Sequence, residues 1–298
     1  MPSTFANRKP KLTFFITGCS SGFGLTLTRL AQAAGHVVIA TSRNPSRTPN
    51  LVTEVESKGG KWIKLDVDDR TSGSVIEDLE KSGIEIDVLV NNAGYSIFAP
   101  VETATEEELR AHMESMYFGP LRLIRAVLPH MRKRRYGVIV NMSSGASLEG
   151  RDTMGPYAGA KAGLDGITRV LAKEVAPYHI RTVTVILGAF NTNMPNATTV
   201  GAAPLPEDYN GSVSDLMFKF LSGTTELPGL PLAMGDKEKA MKAVYDVIVG
   251  EGVGLGKEAE TMLLLGSDMT ARAKVTLKTL EHVLETWKDV TDYVMLDK

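Results

Sequence analysis

Three glycines stand between an apolar run typical of a buried strand and a stretch with the spacing of a helix. The turn reads TGCSSGFG, from Thr17 to Gly24, after LTFFI (12–16) and before LTLTRLAQAAG (25–35). Glycine lets the backbone turn tightly and lets another group approach it closely, because it has no Cβ. A helix that begins at such a turn presents unpaired N–H groups and the positive end of its dipole. The turn therefore indicates either an anion site at the start of the helix or a tight packing of helix on strand.

The same order of strand and then helix recurs along the chain. Helical spacing is clearest in residues 120–135 and 158–177, and apolar runs without strict alternation stand between such stretches. Strands that are buried on both faces have this pattern. We predict a single Rossmann-like, doubly wound α/β domain over residues 1–298, with about seven parallel strands and helices on both faces. The predicted strands are 12–16, 36–41, 61–65, 87–91, 136–141, 181–186 and 260–265.

Two segments depart from this order. Residues 193–235 combine several Pro and Gly with one short apolar helical stretch, SDLMFKFL. So long an irregular insertion indicates a lid that covers a ligand site. Residues 270–290 are predicted to form a helix whose apolar stripe packs on the domain or on a partner. Side chains that could form the apolar wall of a pocket, or equally lie in the core, are Leu216, Met217, Phe218, Phe220, Leu221, Tyr95, Phe98 and Met154.

Composition limits the partners and the compartment. The net charge of −2 provides no general attraction to nucleic acid or to an acidic membrane surface. The basic run 132–135 ends a predicted helix, where cations complement the dipole. The single cysteine, Cys19, allows neither a disulfide within the chain nor a cysteine-based zinc cluster, and no apolar run approaches the roughly 20 residues of a membrane helix. We expect a cytoplasmic protein without a metal site, a membrane span or a nucleic-acid partner.

The end of the second predicted strand indicates which nucleotide fits the turn. In dinucleotide-binding folds an Asp or Glu about 20 residues beyond the turn bonds the ribose 2′-hydroxyl of NAD. Here the chain reads ATSRN (40–44), with no acid and with an arginine. A guanidinium can hold a 2′-phosphate through paired, charge-assisted hydrogen bonds. The sequence therefore favours NADP(H) over NAD(H), the alternative being that Arg43 is an ordinary surface arginine.

Taken together, the motifs resemble those of the short-chain dehydrogenase/reductase family. TGCSSGFG is similar to its T-G-x-x-x-G-x-G turn, NNAG (91–94) to its N-N-A-G, and Ser144 with Tyr157 and Lys161 to its serine and Y-x-x-x-K. The resemblance covers nearly the whole chain and is weakest in residues 193–235. It implies NADP(H) as cofactor, held by Gly18, Ser20, Ser21, Gly22, Phe23, Gly24, Arg43, Asp66, Val67, Asn92, Ala93, Gly94, Tyr157, Lys161, Gly188 and Thr192.

The spacing of Tyr157 and Lys161 fits proton transfer. Four residues apart on a predicted helix, their side chains share one face. A tyrosine has an ordinary pKa of about 10, and an adjacent ammonium, helped by the positive nicotinamide of an oxidised cofactor, favours the phenolate and lowers that pKa. Such a tyrosine can give a proton to a carbonyl oxygen or take one from an alcohol. The resemblance adds that Ser144 hydrogen-bonds the same oxygen and that Lys161 holds the nicotinamide ribose. We expect an oxidoreductase that reduces a ketone or aldehyde of a rather apolar small molecule, or catalyses the reverse.

Two positions depart from the family pattern. Leu187 replaces the proline of P-G-x-x-x-T, in which Gly188 and Thr192 are kept. Met116, in ESMYFGP (114–120), stands where the family commonly has an asparagine that is thought to hold a water. Methionine has no hydrogen-bond donor and only a weak sulfur acceptor, so it cannot hold a water in that way.

Two other functions stay open at this stage, an NADPH-binding sensor without catalysis and non-redox chemistry such as isomerisation, cyclisation or dehydration. The resemblance also implies a homodimer or homotetramer, because family members often pair through the helices at about 104–135 and 157–178.

Overall fold

The computed structural model describes residues 9–192, 198–224, 235–294 and 296. All the strands in these ranges pair in parallel. They are β1 (Thr13–Ile16), β2 (Val37–Ser42), β3 (Lys61–Lys64), β4 (Val88–Asn91), β5 (Ser96–Phe98), β6 (Gly137–Ser144), β7 (Ile180–Leu187), β8 (Thr198–Val200) and β9 (Met262–Leu265).

Seven of these strands form the central sheet, in the order β3-β2-β1-β4-β6-β7-β9. The order reverses direction between β1 and β4, which is the switch point of a doubly wound fold. The predicted Rossmann-like α/β architecture is therefore confirmed, and each of the seven predicted strands is present within a few residues of its expected bounds.

Helices cover both faces of this sheet. They are α1 (Gly22–Ala33), α2 (Pro49–Ser57), α3 (Ser74–Lys81), α4 (Glu106–Met113), α5 (Gly119–Arg134), α6 (Gly155–Val175), α7 (Val213–Leu221), α8 (Lys237–Val249), α9 (Met269–Thr286) and α10 (Lys288–Tyr293). Phe14 packs in the apolar cluster under α1 and α8, and its neighbour Phe15 packs in the cluster under α3, α5 and α6. Because both faces are buried, the strands lack the alternation of polar and apolar residues that a half-exposed sheet shows.

A π-helical turn, Glu114–Phe118, joins α4 to α5. α4 itself begins with a capping box, in which the Thr105 hydroxyl accepts from the Glu108 N–H and the Glu108 carboxylate accepts from the Thr105 N–H. A π turn inserts a residue into the helix and is frequent at functional sites. Here it contains Met116, the position that departs from the family pattern.

A second, two-stranded sheet, β5 with β8, was not predicted. It is extended by a bridge between Ala99 and Met154, where the Ala99 N–H donates to the Thr153 carbonyl at 2.7 Å. The segment after NNAG thereby lies between β8, which belongs to the predicted lid, and the segment before Tyr157. The helix predicted inside the lid is present as α7. Residues 193–197 and 225–234 of the predicted lid lie outside the described residues.

The helix predicted at 270–290 is present as α9 and α10. Within the described ranges, no helix has the combination of length and apolar character needed to cross a membrane.

Candidate active site

The glycine-rich turn is tied to the end of β4 by hydrogen bonds. The Thr17 hydroxyl accepts from the backbone N–H groups of Asn92 and Ala93, both at 2.9 Å. In return, the Asn92 amide donates to the carbonyls of Thr17 and Gly18, at 2.8 and 3.2 Å. A Cβ on Gly18 would lie 2.9 Å from the Ala93 Cα, and Gly18 has a φ of +72°. Only glycine fits there, and the structure brings Gly18, Asn92 and Ala93 together as predicted.

The first turn of α1 is arranged to receive an anion. α1 begins at Gly22, and the side chain of Ser21 before it makes no capping hydrogen bond. The first turn contains no acidic residue, so its N–H groups and the positive dipole end are unopposed. Ser20 is exposed beside this turn. A Cβ on Gly24 would lie 2.4 Å from the Gly18 carbonyl oxygen, which shows how closely helix and turn pack.

The segment after β7 closes over the same turn. A Cβ on Gly22 would be 3.8 Å from the Thr192 Cβ, so these two predicted cofactor residues are neighbours. The Phe23 and Phe190 rings meet edge to face with centres 5.5 Å apart. The turn at the end of β1 and the turn at the end of β7 therefore form two sides of one cleft.

Gly188 lies at the other end of that segment, directly against the residues that precede α9. A Cβ on Gly188 would be 1.9 Å from Oδ1 of Asp268, so a larger residue would have to displace the Asp268 carboxylate. Leu187, in place of the family proline, is buried and pairs with Leu265 in the β7–β9 ladder.

The residues predicted to hold the adenosine half lie at the ends of β2 and β3. Arg43 directly follows β2 and is exposed. The Ser42 hydroxyl before it accepts a hydrogen bond from the Trp62 indole at 3.0 Å. Asp66 is exposed, and Val67 is buried with its carbonyl accepting from Arg122 at 3.0 Å.

Ser144 and Tyr157 meet where β6 ends and α6 begins. The Ser144 hydroxyl accepts from the Ala146 N–H at 3.2 Å and hydrogen-bonds the Tyr157 hydroxyl. Burial raises the pKa of Tyr157, and the Ser144 hydrogen bond and the positive charge of Arg272 only partly oppose this effect. The expectation that the neighbouring ammonium lowers the pKa of Tyr157 is therefore wrong for the chain by itself, because desolvation of the phenolate outweighs the favourable charges.

Lys161 lies one helical turn after Tyr157, with its Nζ 5.9 Å from the centre of the tyrosine ring. Its ammonium donates to the Met142 carbonyl at 2.7 Å. Burial lowers the pKa of Lys161 to about 8, although the negative charge of Asp165 acts in the opposite direction. This lysine can therefore exchange its proton close to neutral pH, unlike an exposed lysine.

Met116 fills the space beside this lysine. It is fully buried and packs in one cluster with Tyr157, Ala146 and Ala160. A Cβ on Gly94 would be 3.6 Å from the Met116 sulfur and 3.9 Å from Nζ of Lys161. The methionine thus touches the group of residues predicted to transfer the proton.

Three further residues of this region were not singled out from the sequence. Asp165 lies four residues after Lys161 on α6 and is buried, and burial raises its pKa more than the nearby Ser147 and Ser143 hydroxyls lower it. Its i+4 spacing from Lys161 was a signal that the sequence offered. His112 and Arg272 lie on α4 and α9, and nothing in their spacing connects them with Tyr157.

The residues predicted for an apolar wall fall into two groups. Phe98 is the last residue of β5. Ala99, which follows Phe98, forms a β-bridge with Met154. Tyr95 stacks edge to face on His112, with ring centres 4.4 Å apart. On α7, which packs against β8, Leu216 is exposed and the other four side chains are half-buried, namely Met217, Phe218, Phe220 and Leu221.

Comparison with known proteins gives consistent results. A family model described as short chain dehydrogenase matches residues 13–201. The oxidoreductase claN of Passalora fulva is 38% identical over 188 residues, which make up 62% of this chain and 85% of that protein. A 3-ketodihydrosphingosine reductase of Bacteroides thetaiotaomicron is 41% identical over 180 residues, 59% of this chain and 63% of that protein.

Solved structures extend the likeness beyond the matched segment. A short-chain dehydrogenase from Streptomyces avermitilis has a TM-score of 0.82 and 31% identity, over 97% of this chain and 100% of that chain. Other structures of similar fold are complexes with NADPH or NADP+.

Proposed function

The chain belongs to the short-chain dehydrogenase family of oxidoreductases, and on this basis we propose that it reduces the carbonyl group of an apolar small molecule with NADPH, or oxidises the corresponding alcohol. The observation that carries the proposal is the meeting of Ser144, Tyr157 and Lys161 at the edge of the sheet that also holds the glycine-rich turn. The two hydroxyls can hydrogen-bond a carbonyl oxygen and give it a proton, and the titratable amine of Lys161 can replace that proton.

The cleft fits a dinucleotide. At Gly18 and Gly24 the turn packs so closely that a Cβ would collide with neighbouring backbone atoms. The start of α1 has no side-chain cap and offers its N–H groups to a pyrophosphate. Asn92 and Ala93 lie next to Gly18, Thr192 lies next to Gly22, and all three can hold the nicotinamide half. When it is bound, NADPH supplies the hydride.

Preference for the phosphorylated cofactor rests on the end of β2. The exposed guanidinium of Arg43 can pair with a 2′-phosphate, and the sequence places no carboxylate at 40–44 to accept from a ribose hydroxyl. The Ser42 side chain is buried beside the Trp62 indole, and the exposed Arg43 together with Ser21 would contact the phosphate. Complexes of similar fold with NADP+ or NADPH agree with this choice.

The protonation state of Tyr157 suits donation of a proton to a carbonyl oxygen. A raised pKa keeps the Tyr157 phenol protonated, as a group that donates to a carbonyl oxygen must be. The Ser144 hydroxyl would hydrogen-bond the same carbonyl oxygen of the substrate and hold it in line with the Tyr157 phenol. Lys161, with its pKa near 8, can return a proton to Tyr157 after each turnover.

An apolar substrate is favoured by the residues around the mouth of the cleft. Ala99, which follows Phe98 in the chain, forms a β-bridge with Met154, so that Phe98 and Met154 lie close together. The α7 helix adds a largely apolar surface on the other side of β8. The relative named as a 3-ketodihydrosphingosine reductase has a long-chain ketone as its substrate by name. We therefore expect ketones or aldehydes with an extended apolar part to react fastest.

A cofactor-consumption assay tests the proposal. Purified protein is incubated with NADPH and a panel of carbonyl compounds that runs from long-chain β-keto alcohols to sugar ketones, and products are identified by mass spectrometry. Consumption of NADPH with formation of the alcohol, fastest for the apolar members, is the expected result. NADPH binding by calorimetry without turnover of any member would favour a sensor, and a product formed with the cofactor unchanged would favour non-redox chemistry.

A further inference from the structure

The C-terminal helix α9 starts against the domain and then extends away from it. Met269, its first residue, is buried, and the Thr276 hydroxyl donates to the Leu148 carbonyl at 3.3 Å. From Leu277 onward, every side chain described in α9 and α10 is exposed. The helix therefore projects about five turns beyond the last contact that holds it.

The projecting part has an apolar stripe that continues the buried face. Its members recur at intervals of three and four residues, the pattern of a helix face that packs against another surface. They are 45–72% exposed and comprise Leu277, Leu280, Val283, Leu284, Trp287, Val290 and Val294. The residues of the first turns that continue this face, Met269, Ala273 and Thr276, are buried or half-buried on the domain.

The bend between α9 and α10 does not interrupt the stripe. The N–H of Trp287 donates to the Val283 carbonyl at 3.0 Å, and the N–H of Thr291 donates to the Trp287 carbonyl at 2.9 Å. A hydrogen bond four residues long thus ends at Trp287 and another begins there, which favours a course that keeps Val290 on the same side as Leu280 and Leu284.

The charges on this helix argue against a lipid surface as the partner. Between residues 273 and 294 the sequence has three lysines and four acidic residues. A helix that lies on a membrane surface usually has a basic polar face that is attracted to anionic lipids. Without such a face, the stripe fits a protein partner better than a membrane.

The same charges favour a second copy of this chain. Lys274, Glu281 and Lys288 follow one another at intervals of seven residues on one flank of the stripe, and the opposite flank has Thr279 and Thr286. In an antiparallel pair of identical helices the same flank of each helix meets its counterpart, whereas in a parallel pair opposite flanks meet. Only the antiparallel arrangement therefore places Glu281 of one copy beside Lys288 of the other, and it does so twice.

We propose that two copies of the chain associate through this stripe, antiparallel, about a twofold axis close to Leu284. The axis that pairs Glu281 with Lys288 passes between residues 284 and 285, close to the middle of the exposed stretch 277–294. Stable interfaces bury about 800 Å² on each partner, and seven exposed apolar side chains over five turns can provide most of that area. This interface is separate from the helices 104–135 and 157–178 through which the family resemblance implies pairing.

Cysteine cross-linking tests the position of the axis. The native Cys19 is fully buried, so an introduced surface cysteine is the reactive one. Leu284→Cys is expected to form a covalent dimer under mild oxidation, and His282→Cys, on the far side of the same helix, is the matched control. Equal cross-linking of the two variants, or none at position 284, would overturn the proposal.

Charge exchange tests the direction of the pair without touching the apolar stripe. Glu281→Lys should raise the dissociation constant of the assembly roughly tenfold, because two attractive pairs become repulsive, and Glu281→Lys with Lys288→Glu should restore it. Analytical ultracentrifugation of the full chain measures both, and Leu284→Asp should halve the mass of the assembly.

An assembly mass unchanged by Leu284→Asp, or a double exchange that fails to restore association, would contradict the antiparallel pair. A wild-type chain that stays monomeric and binds phosphatidylglycerol vesicles would show that the stripe serves a membrane instead. Circular dichroism of each variant checks its folding, and the charge variants keep the proposal testable if Leu284→Asp does not fold.

Discussion

The guanidinium group of Arg272 lies so close to Gly145 that a methyl group at that position would be 2.4 Å from the Arg272 Cζ. Arg272 also donates to Glu149 at 2.6 Å and to Asp268 at 3.0 Å. These contacts fix the start of α9 to the loop that follows Ser144. Its positive charge also lowers the pKa of Tyr157, against the larger effect of burial.

Gly145→Ala is expected to destabilise the protein by about 1–3 kcal/mol, because the added methyl group must displace the Arg272 side chain. In an Arg272→Ala background the same change should be nearly neutral, since the colliding atoms are gone. Urea unfolding of the two single variants and the double variant measures this coupling. A full penalty for Gly145→Ala in the absence of Arg272 would mean that the backbone, and not the arginine, requires glycine.

Tyr157→Phe should keep NADPH affinity and lose carbonyl reduction by roughly 10²–10⁴-fold, the usual contribution of a positioned general acid. The phenyl ring still fits the cluster with Met116 and Ala160, so stability should change little. Tyr178→Phe is the matched control, because Tyr178 lies near Arg132 and Arg135, away from the site. Calorimetry and single-turnover kinetics separate binding from chemistry. Near-wild-type turnover of the phenylalanine variant would require another proton source.

The sequence predicted the central sheet well, because strands buried on both faces and the helices between them have distinct periods. It did not predict β5 and β8, whose three residues each are too few for any period to show. The tail was predicted as a helix whose apolar stripe packs on the domain or on a partner, and in the single chain most of that stripe is exposed.

The candidate site shows the same division. Residues joined by a local motif, such as Tyr157 and Lys161, could be named from their spacing together with the other motifs of the family resemblance. Arg272 reaches Gly145 from more than a hundred residues away, and only the packing of α9 reveals this contact. For the chain by itself the pKa of Tyr157 is raised and not lowered, because spacing shows the neighbouring charge but not the depth of burial.

Arg43→Ala should weaken NADPH binding about ten- to a hundred-fold and leave NADH binding almost unchanged. The loss corresponds to one charge-assisted hydrogen bond of roughly 1.5–3 kcal/mol to the 2′-phosphate. Arg47→Ala, an exposed arginine four residues further on, controls for the general loss of positive charge. Isothermal titration with both cofactors is the measurement. Equal affinities of the wild type for NADPH and NADH would contradict the assignment of Arg43.

His112 should make the fold sensitive to mild acid. Burial lowers the pKa of His112 to about 4 from an ordinary 6.5. The unfolded chain therefore binds a proton first as the pH falls, so this stability is fully present above pH 6.5 and is lost between pH 6.5 and 4. The loss is on the order of 3 kcal/mol.

Urea unfolding across this range measures the effect. His112→Gln, which stays neutral, should flatten the profile between pH 6.5 and 4, whereas His282→Gln, at an exposed position of α9, should not. Unchanged profiles for both variants would mean that carboxylates alone set the acid limit. The pKa of Glu54 is lowered to about 2, so its contribution is lost only below pH 4.5 and can be distinguished.

Met116→Asn restores the residue that the family commonly has, and we expect the variant to be less stable and no faster. Met116 is fully buried against Tyr157 and Ala160, so the shorter amide leaves a gap and an unpaired polar group that costs about 1–3 kcal/mol. Met116→Leu, which keeps the apolar volume, should retain both stability and rate. Single-turnover reduction in H₂O and D₂O decides the question. An asparagine variant that turns over faster and loses a solvent isotope effect seen in the wild type would show instead that Met116 limits the supply of protons to Lys161.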